Sequence, residues 1–312
     1  MKKTGLLLLL VAAMAVAQET TTVPGVVATN ANVPVVRFET PSAADLYCAG
    51  LISPGRLPDA NYVNGTLQTP NTTKITNGEM VYLAGGGYQV GQSYSIMREL
   101  RDLNEFDLYP GQKKLLAATG HPYGEIGRVR VLDVRPHSAV GEVVFSCDPI
   151  NPGDIAIPFV EKQQIAFRTP AHFDRYLPSS DKLHGRIVLG KDFDGFLGTG
   201  GKVYMNLGSN QGVKVGDYLR VVRSYSADLE DPVDSLSFKA SISEDTQKRT
   251  PSFESGYFKQ NSGPNIHVAD LPRRGVGEVV VLGVTPTTST AMIVFALEDV
   301  HAGDGVELDN PQ

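Results

Sequence analysis

"GRVRVLDVRPHSAVGEVVFSCDPINPGD", residues 127–154, is met again 150 positions later as "GEVVVLGVTPTTSTAMIVFALEDVHAGD", residues 277–304. The two stretches align without a gap. Ten of the 28 positions are identical: Gly127, Val129, Val131, Leu132, Val134, Pro136, Val144, Phe145, Gly153 and Asp154 recur in the second stretch. Self-similarity at a fixed offset is the signature of a duplicated structural unit. The likeness continues upstream, where "VYLAGGGYQVGQSYSIMR" from Val81 matches "VYMNLGSNQGVKVGDYLRVVR" from Val203 once a three-residue gap is allowed.

Each copy reads as strand, Gly-rich turn, strand, variable insertion, strand, Pro-containing turn, strand, and a closing Gly-Asp turn into a final strand. Val129, Val131 and Val134, like Val279, Val281 and Leu282, have the β-branched character and near-alternation of strands with one buried face. "GRIVLG", 185–190, supplies a strand ahead of the second copy, and "YCAGLI", 47–52, is expected to be its equivalent ahead of the first. Short strands joined by Gly turns favour closure, which leaves no exposed edge. The expected fold is therefore mainly all-β, with two tandem small β-barrel or sandwich modules at 44–175 and 176–312. The second carries a long polar insertion at 226–272. Helical periodicity is confined to "GQKKLLAATG", 111–120, where Gly120 marks the end of a short helix.

The glycines invite a reading as a phosphate loop, and "GSNQGVKVGD", 208–217, is the best case. A phosphate cradle needs a helix N-terminus after the glycines, whereas the strand-like "DYLRVVRSY" follows here. Gly212, Gly216 and Asp217 are therefore assigned to a chain reversal. Gly91 takes the same role in the first copy, and Gly153-Asp154 and Gly303-Asp304 form the closing turns. "GFLGTGGKV", 195–203, lacks the first glycine and the Ser or Thr of a Walker loop. "DFDG", 192–195, lacks the later ligands of a calcium loop. The six histidines have no metal-ligand spacing, and no nucleophile elbow occurs. No catalytic, cofactor-binding or metal-binding residue is assigned.

The chain opens with Lys2 and Lys3, an apolar run from Leu6 to Met14, and Ala15-Val16-Ala17. This predicts a signal peptide over 1–17, a run too short to span a bilayer, with cleavage before Gln18. The Thr- and Pro-punctuated 18–43 stretch is expected to be a flexible tether. Loss of Lys2 and Lys3 leaves 26 basic residues against 34 acidic ones, a formal charge of −8, which argues against a nucleic-acid partner. No transmembrane span is expected, and the predicted location is periplasmic or extracellular. In an oxidising compartment the only cysteines, Cys48 and Cys147, are expected to form a disulfide; the alternative is two buried thiols acting as small hydrophobes.

The second copy, "GRIVLG…KVYMNLGSNQGVKVGDYLRVVR…VGEVVVLGVTPTTSTAMIVFALEDVHAGDGVEL", resembles the C-terminal β domain of the flagellar H-ring assembly protein FlgT over about 185–308. The first copy resembles it more weakly. The resemblance implies an exported, non-catalytic bacterial cell-envelope protein with a structural or adaptor role, partnered by an envelope protein or peptidoglycan. Two alternatives stay open: a peptidoglycan- or glycan-binding module, though the chain has no Trp to serve as a sugar platform, and an envelope hydrolase whose site is formed by the insertions.

Overall fold

The computed structural model describes residues 26–27, 36–37, 39–68, 73–101, 107–109, 111–166, 168, 173–176, 178, 183–224, 240–241, 244–247 and 273–308. The expected leader and most of the tether and of the 226–272 insertion lie outside these residues.

Strand β1 (Val26–Val27) pairs antiparallel with β2 (Val36–Arg37). Helix α1 (Ala43–Tyr47) and strand β3 (Leu51–Ser53) follow. The first barrel is built from β4 (Tyr62–Thr66), β5 (Met80–Ala84), β6 (Ser93–Glu99), β7 (His121–Arg135), β8 (Ser138–Ser146) and β9 (Ile155–Pro158). Going round the ring, the order is β4-β5-β8-β7-β6-β9, and β9 closes on β4. Helix α2 (Gln112–Thr119) lies in the insertion between β6 and β7 and ends at Gly120, whose φ is 131°.

The second barrel uses β10 (His184–Gly190), β12 (Lys202–Met205), β13 (Tyr218–Arg223), β16 (Arg274–Val284), β17 (Ser289–Ala296) and β19 (Gly305–Leu308). Its ring order is β10-β12-β17-β16-β13-β19. A two-stranded ribbon of β11 (Phe196–Leu197) and β18 (Val300–His301) lies outside this ring, and β14 (Ala240–Ser241) pairs with β15 (Glu244–Gln247) within the insertion. Both rings are antiparallel throughout, and strand for strand they have the same order.

The equivalence holds at the level of single residues. In the first barrel β7 and β8 slip register between Arg128 and Val129 and again between Val131 and Asp133. In the second, β16 and β17 slip between Glu278 and Val279 and between Val281 and Gly283, each 150 positions on. The slip between Ile96 and Met97 has its counterpart between Val221 and Val222. Bulges bend and twist a strand locally, and a six-stranded ring closes only if its strands bend sharply. The repeated motif therefore encodes the bending points as well as the strands.

Each ring has its own apolar interior. Val81, Leu83, Ile96, Val129, Val131 and Val143 fill the first. Their counterparts Val203, Met205, Val221, Val279, Val281 and Ile293 fill the second. Burying each such side chain contributes about 1.5–3 kcal/mol, which is why these positions tolerate only apolar exchanges between copies.

One expectation is corrected. "YCAGLI" does not contribute the first strand of the first barrel. That place belongs to β4, since Val63 lies opposite Leu83 just as Ile187 lies opposite Met205. Leu51–Ser53 instead pairs with the start of β7, at His121–Tyr123, outside the ring. A capped helix and a left-handed Gly50 (φ 70°) divert the 42–53 segment. β4, with only Val63 as a large buried apolar residue, gives a weak strand signal.

Candidate functional site

The distinctive part of the molecule is the place where the two barrels meet, and it is built around residues 42–53. Ser42 caps α1: its Oγ accepts from the Asp45 N–H at 3.2 Å while its own N–H donates to Asp45 Oδ2 at 2.8 Å. This reciprocal arrangement supplies partners for two helix-end N–H groups. Leu46 and Ala49 are thereby laid on the outer face of the second barrel, among Tyr218, Val280, Leu282, Met292 and Val294. Three backbone carbonyls, those of Ala49, Gly50 and Ile52, then meet hydroxyls of that barrel. The Tyr204 hydroxyl donates to Ala49 O at 2.9 Å, Thr290 Oγ1 to Gly50 O at 3.0 Å, and Thr288 Oγ1 to Ile52 O at 2.8 Å.

Gly50 is required here twice over. Its φ is left-handed, and a Cβ on it would stand 2.4 Å from Tyr123 O and 2.7 Å from the Tyr204 hydroxyl. Burial pushes the Tyr204 hydroxyl well above the usual phenol range, so it stays a donor at any physiological pH. Lys202 Nζ reaches Asp45 Oδ1 at 2.5 Å. Burial pushes the Asp45 carboxyl up, but the hydrogen bonds from Lys202 and Ser42 and the Lys202 charge outweigh it and hold it below its ordinary value.

The same segment is fastened to the first barrel. Cys48 and Cys147 are disulfide-bonded, with Cα atoms 5.7 Å apart. Lys162 Nζ donates to Leu46 O at 2.7 Å and pairs with Glu125 Oε2 at 2.5 Å. The Arg128 guanidinium lies 4.6 Å from the Tyr47 ring centroid and 3.9 Å from that of Phe159. The start of helix α2 and the residues just before it make a second crossing: the Tyr109 hydroxyl and Gln112 Nε2 both donate to Val188 O at 3.1 Å. Ile52, Val188, Leu189 and Tyr204 form an apolar cluster between the barrels, with Leu115, Leu116 and Phe193 packed against it. Phe193, with φ 61°, and its neighbour Asp192, with φ 59°, are held in a conformation side chains rarely adopt. Residues 42–53 thus act as a wedge with one face on each barrel.

The Gly-Asp turns have a structural partner that the sequence reading missed. Asp154 accepts from Arg98 Nε at 2.8 Å and Nη2 at 2.7 Å, and Arg98 Nη2 also donates to Pro149 O. Asp304 accepts from Arg223 Nε at 2.9 Å and Nη2 at 2.8 Å, and Arg223 Nη2 also donates to Asp299 O. Each Asp additionally accepts a backbone N–H, from Asn151 and from His301. These are bidentate, charge-assisted latches that tie the last strand of each ring to the end of the third. Burial pushes the Asp304 carboxyl up, and the Arg223 pairing and the His301 N–H oppose it. The available signal was that both upstream repeat segments end in Arg.

The remaining turn residues are spread along the barrel ends and form no common site. Gly91, Gly153, Gly212, Gly216 and Gly303 have φ of 82°, 94°, 88°, 90° and 102°. At Gly212 and Gly216 an added Cβ would meet nothing, so the left-handed backbone alone makes the demand. Asp217 Oδ2 accepts the Lys214 N–H at 2.8 Å. Among the described residues, no three His, Cys, Asp or Glu side chains gather as a metal site requires, and no helix is long and apolar enough to cross a membrane. His172 and His267 lie outside the described residues. No protein-family model and no curated protein matches the sequence.

Proposed function

We propose that this is an exported, non-catalytic protein of the bacterial cell envelope, periplasmic or extracellular, with a structural or adaptor role carried by two barrels of the FlgT C-terminal type. The observation that carries this reading is the disulfide-fastened wedge. Cys48–Cys147 and the three hydroxyl-to-carbonyl bonds of Tyr204, Thr288 and Thr290 join two small barrels into one stiff unit. A disulfide of this kind belongs to an oxidising compartment, in keeping with the leader-like residues 1–17. The repeated polar and glycine positions are used for turns, bulges and latches, and the variable positions for the outer surfaces. That is the division of labour of a scaffold.

The test is fractionation of cells making the full chain with a C-terminal tag, followed by N-terminal sequencing and in-cell cross-linking. Export, a new N-terminus at Gln18 and discrete cross-linked envelope complexes are the expected result. A cytoplasmic product starting at Met1, or turnover of peptidoglycan by the purified protein, overturns the reading.

A further inference from the structure

The wedge and the first barrel make one body, a head. Leu51–Ser53 pairs with His121–Tyr123, Cys48 is bonded to Cys147, and Lys162 Nζ holds both Leu46 O and Glu125. From Ala166 onward the chain belongs to the second barrel, the base. The Tyr218 hydroxyl donates to Ala166 O at 3.4 Å, Arg168 Nη2 donates to Glu278 Oε1 at 2.8 Å, and Phe173 meets Phe295 edge to face. Among the described residues the chain therefore crosses from head to base once, over residues 163–165, where Gln163 and Gln164 are exposed.

The disulfide adds no second covalent crossing, because both cysteines lie in the head. It fixes the wedge so that it projects from the first barrel, and leaves the seating on the base to reversible bonds. These are the hydroxyls of Tyr204, Thr288 and Thr290 on three wedge carbonyls, the Lys202–Asp45 pair, and Tyr109 and Gln112 on Val188 O. Leu46 and Ala49 add the apolar part. Hydroxyls and an ion pair regain partners in water when such a contact opens, and contacts between domains of one chain have this mixed composition where they come apart. Plug and socket are different surfaces, so the contact is of the heterologous kind.

We infer that the socket on the second barrel also takes the head of a second copy of this chain: two molecules exchange heads across 163–165 into a closed dimer, each base holding the other chain's wedge. The exchange needs no new contact, since every head-to-base bond re-forms in trans, and only one connection has to open. The four Cα steps from Lys162 to Ala166 reach at most about 15 Å. A head folded back on its own base is thus on a short tether, and short hinges invite exchange. Proximity favours the monomer and concentration the dimer, so the balance follows mass action. The inference rests on the scaffold reading for its use and gives that scaffold a way to join copies.

The Asp45–Lys202 pair, at 2.5 Å, reports which chain's wedge fills a socket, because a carbodiimide joins carboxylate and amine as an amide with loss of water. Unlabelled and heavy-nitrogen-labelled mature chains, disulfide intact, are mixed equally and unfolded in urea. They are refolded together at low and at high protein concentration, cross-linked, digested and weighed by mass spectrometry. At high concentration sedimentation should show a dimer, with about half of its Asp45–Lys202 links joining a labelled to an unlabelled peptide, as random pairing of exchanged heads requires. At low concentration a monomer with single-isotope links is expected. Asp45→Asn should remove the link in both forms. Deleting Gln163 and Gln164 should move the dimer about tenfold or more toward lower concentration, and inserting about six Gly and Ser residues there should move it as far the other way. Single-isotope links at every concentration overturn the inference. So does a dimer without mixed links, which puts the contact on another face, and so does an insertion variant that dimerises as readily as the parent. Export and cross-linking in cells are measured separately, so failure of exchange leaves them untouched, and failure of export leaves the isotope result to stand alone.

Discussion

The two closing latches offer a comparison the protein has already set up, because the same bidentate pair sits in two different surroundings. Asp304 and Arg223 have side chains 0 % and 4 % exposed, while Asp154 and Arg98 are 5 % and 31 % exposed. Replacing either Asp by Asn keeps the shape and one accepting oxygen but removes the charge. In the second barrel this removes the carboxylate charge beside a buried Arg223 guanidinium, which keeps Glu298, at 3.6 Å, and the Asp299 carbonyl among its oxygen partners. Breaking a buried pair from one side costs about 3–5 kcal/mol, and the nearby Glu298 carboxylate brings the expectation for Asp304→Asn to the low end, about 3 kcal/mol. In the first barrel the Arg98 head can turn to water, so Asp154→Asn should cost about 1–2 kcal/mol.

Urea denaturation at neutral pH with the disulfide intact, followed by far-UV circular dichroism, measures both. The double substitution should be additive, because the latches belong to separate rings. Equal losses for the two single variants, or a loss below about 1 kcal/mol for Asp304→Asn, would refute the view that burial sets the worth of this pair.

Removal of the disulfide by Cys48→Ser with Cys147→Ser frees a loop of 99 residues and should cost about 4–5 kcal/mol on the chain-entropy account, with faster amide exchange at 46–53. Gly50→Ala should be far more harmful than Gly212→Ala, although both have left-handed φ, because only at Gly50 does the new methyl meet backbone and a tyrosine hydroxyl. For Gly212→Ala the cost should stay at about 1–2 kcal/mol, and thermal melts of the two variants decide. Asp45 has a carboxyl held below its ordinary value, so its contribution is present above the unfolded-state pKa and is lost as pH falls through the folded one. Asp45→Asn should therefore lower stability at neutral pH and above while changing it little in acid, so that the acid limb flattens in a pH series of urea melts.

The fold was legible because its signals are local and repeated. Gly212, Gly216 and the Gly-Asp pairs mark reversals, Val129 and Val131 mark a buried face, and the offset between copies made each reading count twice. The wedge was not legible, for reasons of geometry. Its bonds are made by backbone carbonyls of Ala49, Gly50 and Ile52, which carry no residue signature, to hydroxyls more than 150 positions away. The short α1 and β3 segment read as a strand because Leu51 and Ile52 are apolar, and nothing local says that they face a different barrel. The latches fall between these cases. Asp154 and Asp304 stand out in the repeat, but their arginines lie 56 and 81 positions upstream across insertions of unequal length.

Comparison of the two copies also separates what the fold needs from what each copy does. Inside the rings most exchanges are apolar for apolar, such as Ile96 for Val221, Leu83 for Met205 and Tyr94 for Leu219, and at the bulges and closing turns the conformation is kept. On the outer faces Arg130 stands for Val280, Glu142 for Met292 and Met80 for Lys202, exchanges that change charge and shape together. A ring can absorb such changes without cost to its core because alternate residues along a strand point in opposite directions. The two cores meet one packing requirement, while the two outer faces differ. The second lies under the chain's own wedge, and it is apolar and hydroxyl-bearing to match three carbonyls. The first carries Tyr82, Leu132 and Val144 together with the Arg130–Glu142 pair. Whatever this protein binds is to be sought in the residues that differ between the repeats, which a search for repeated motifs passes over.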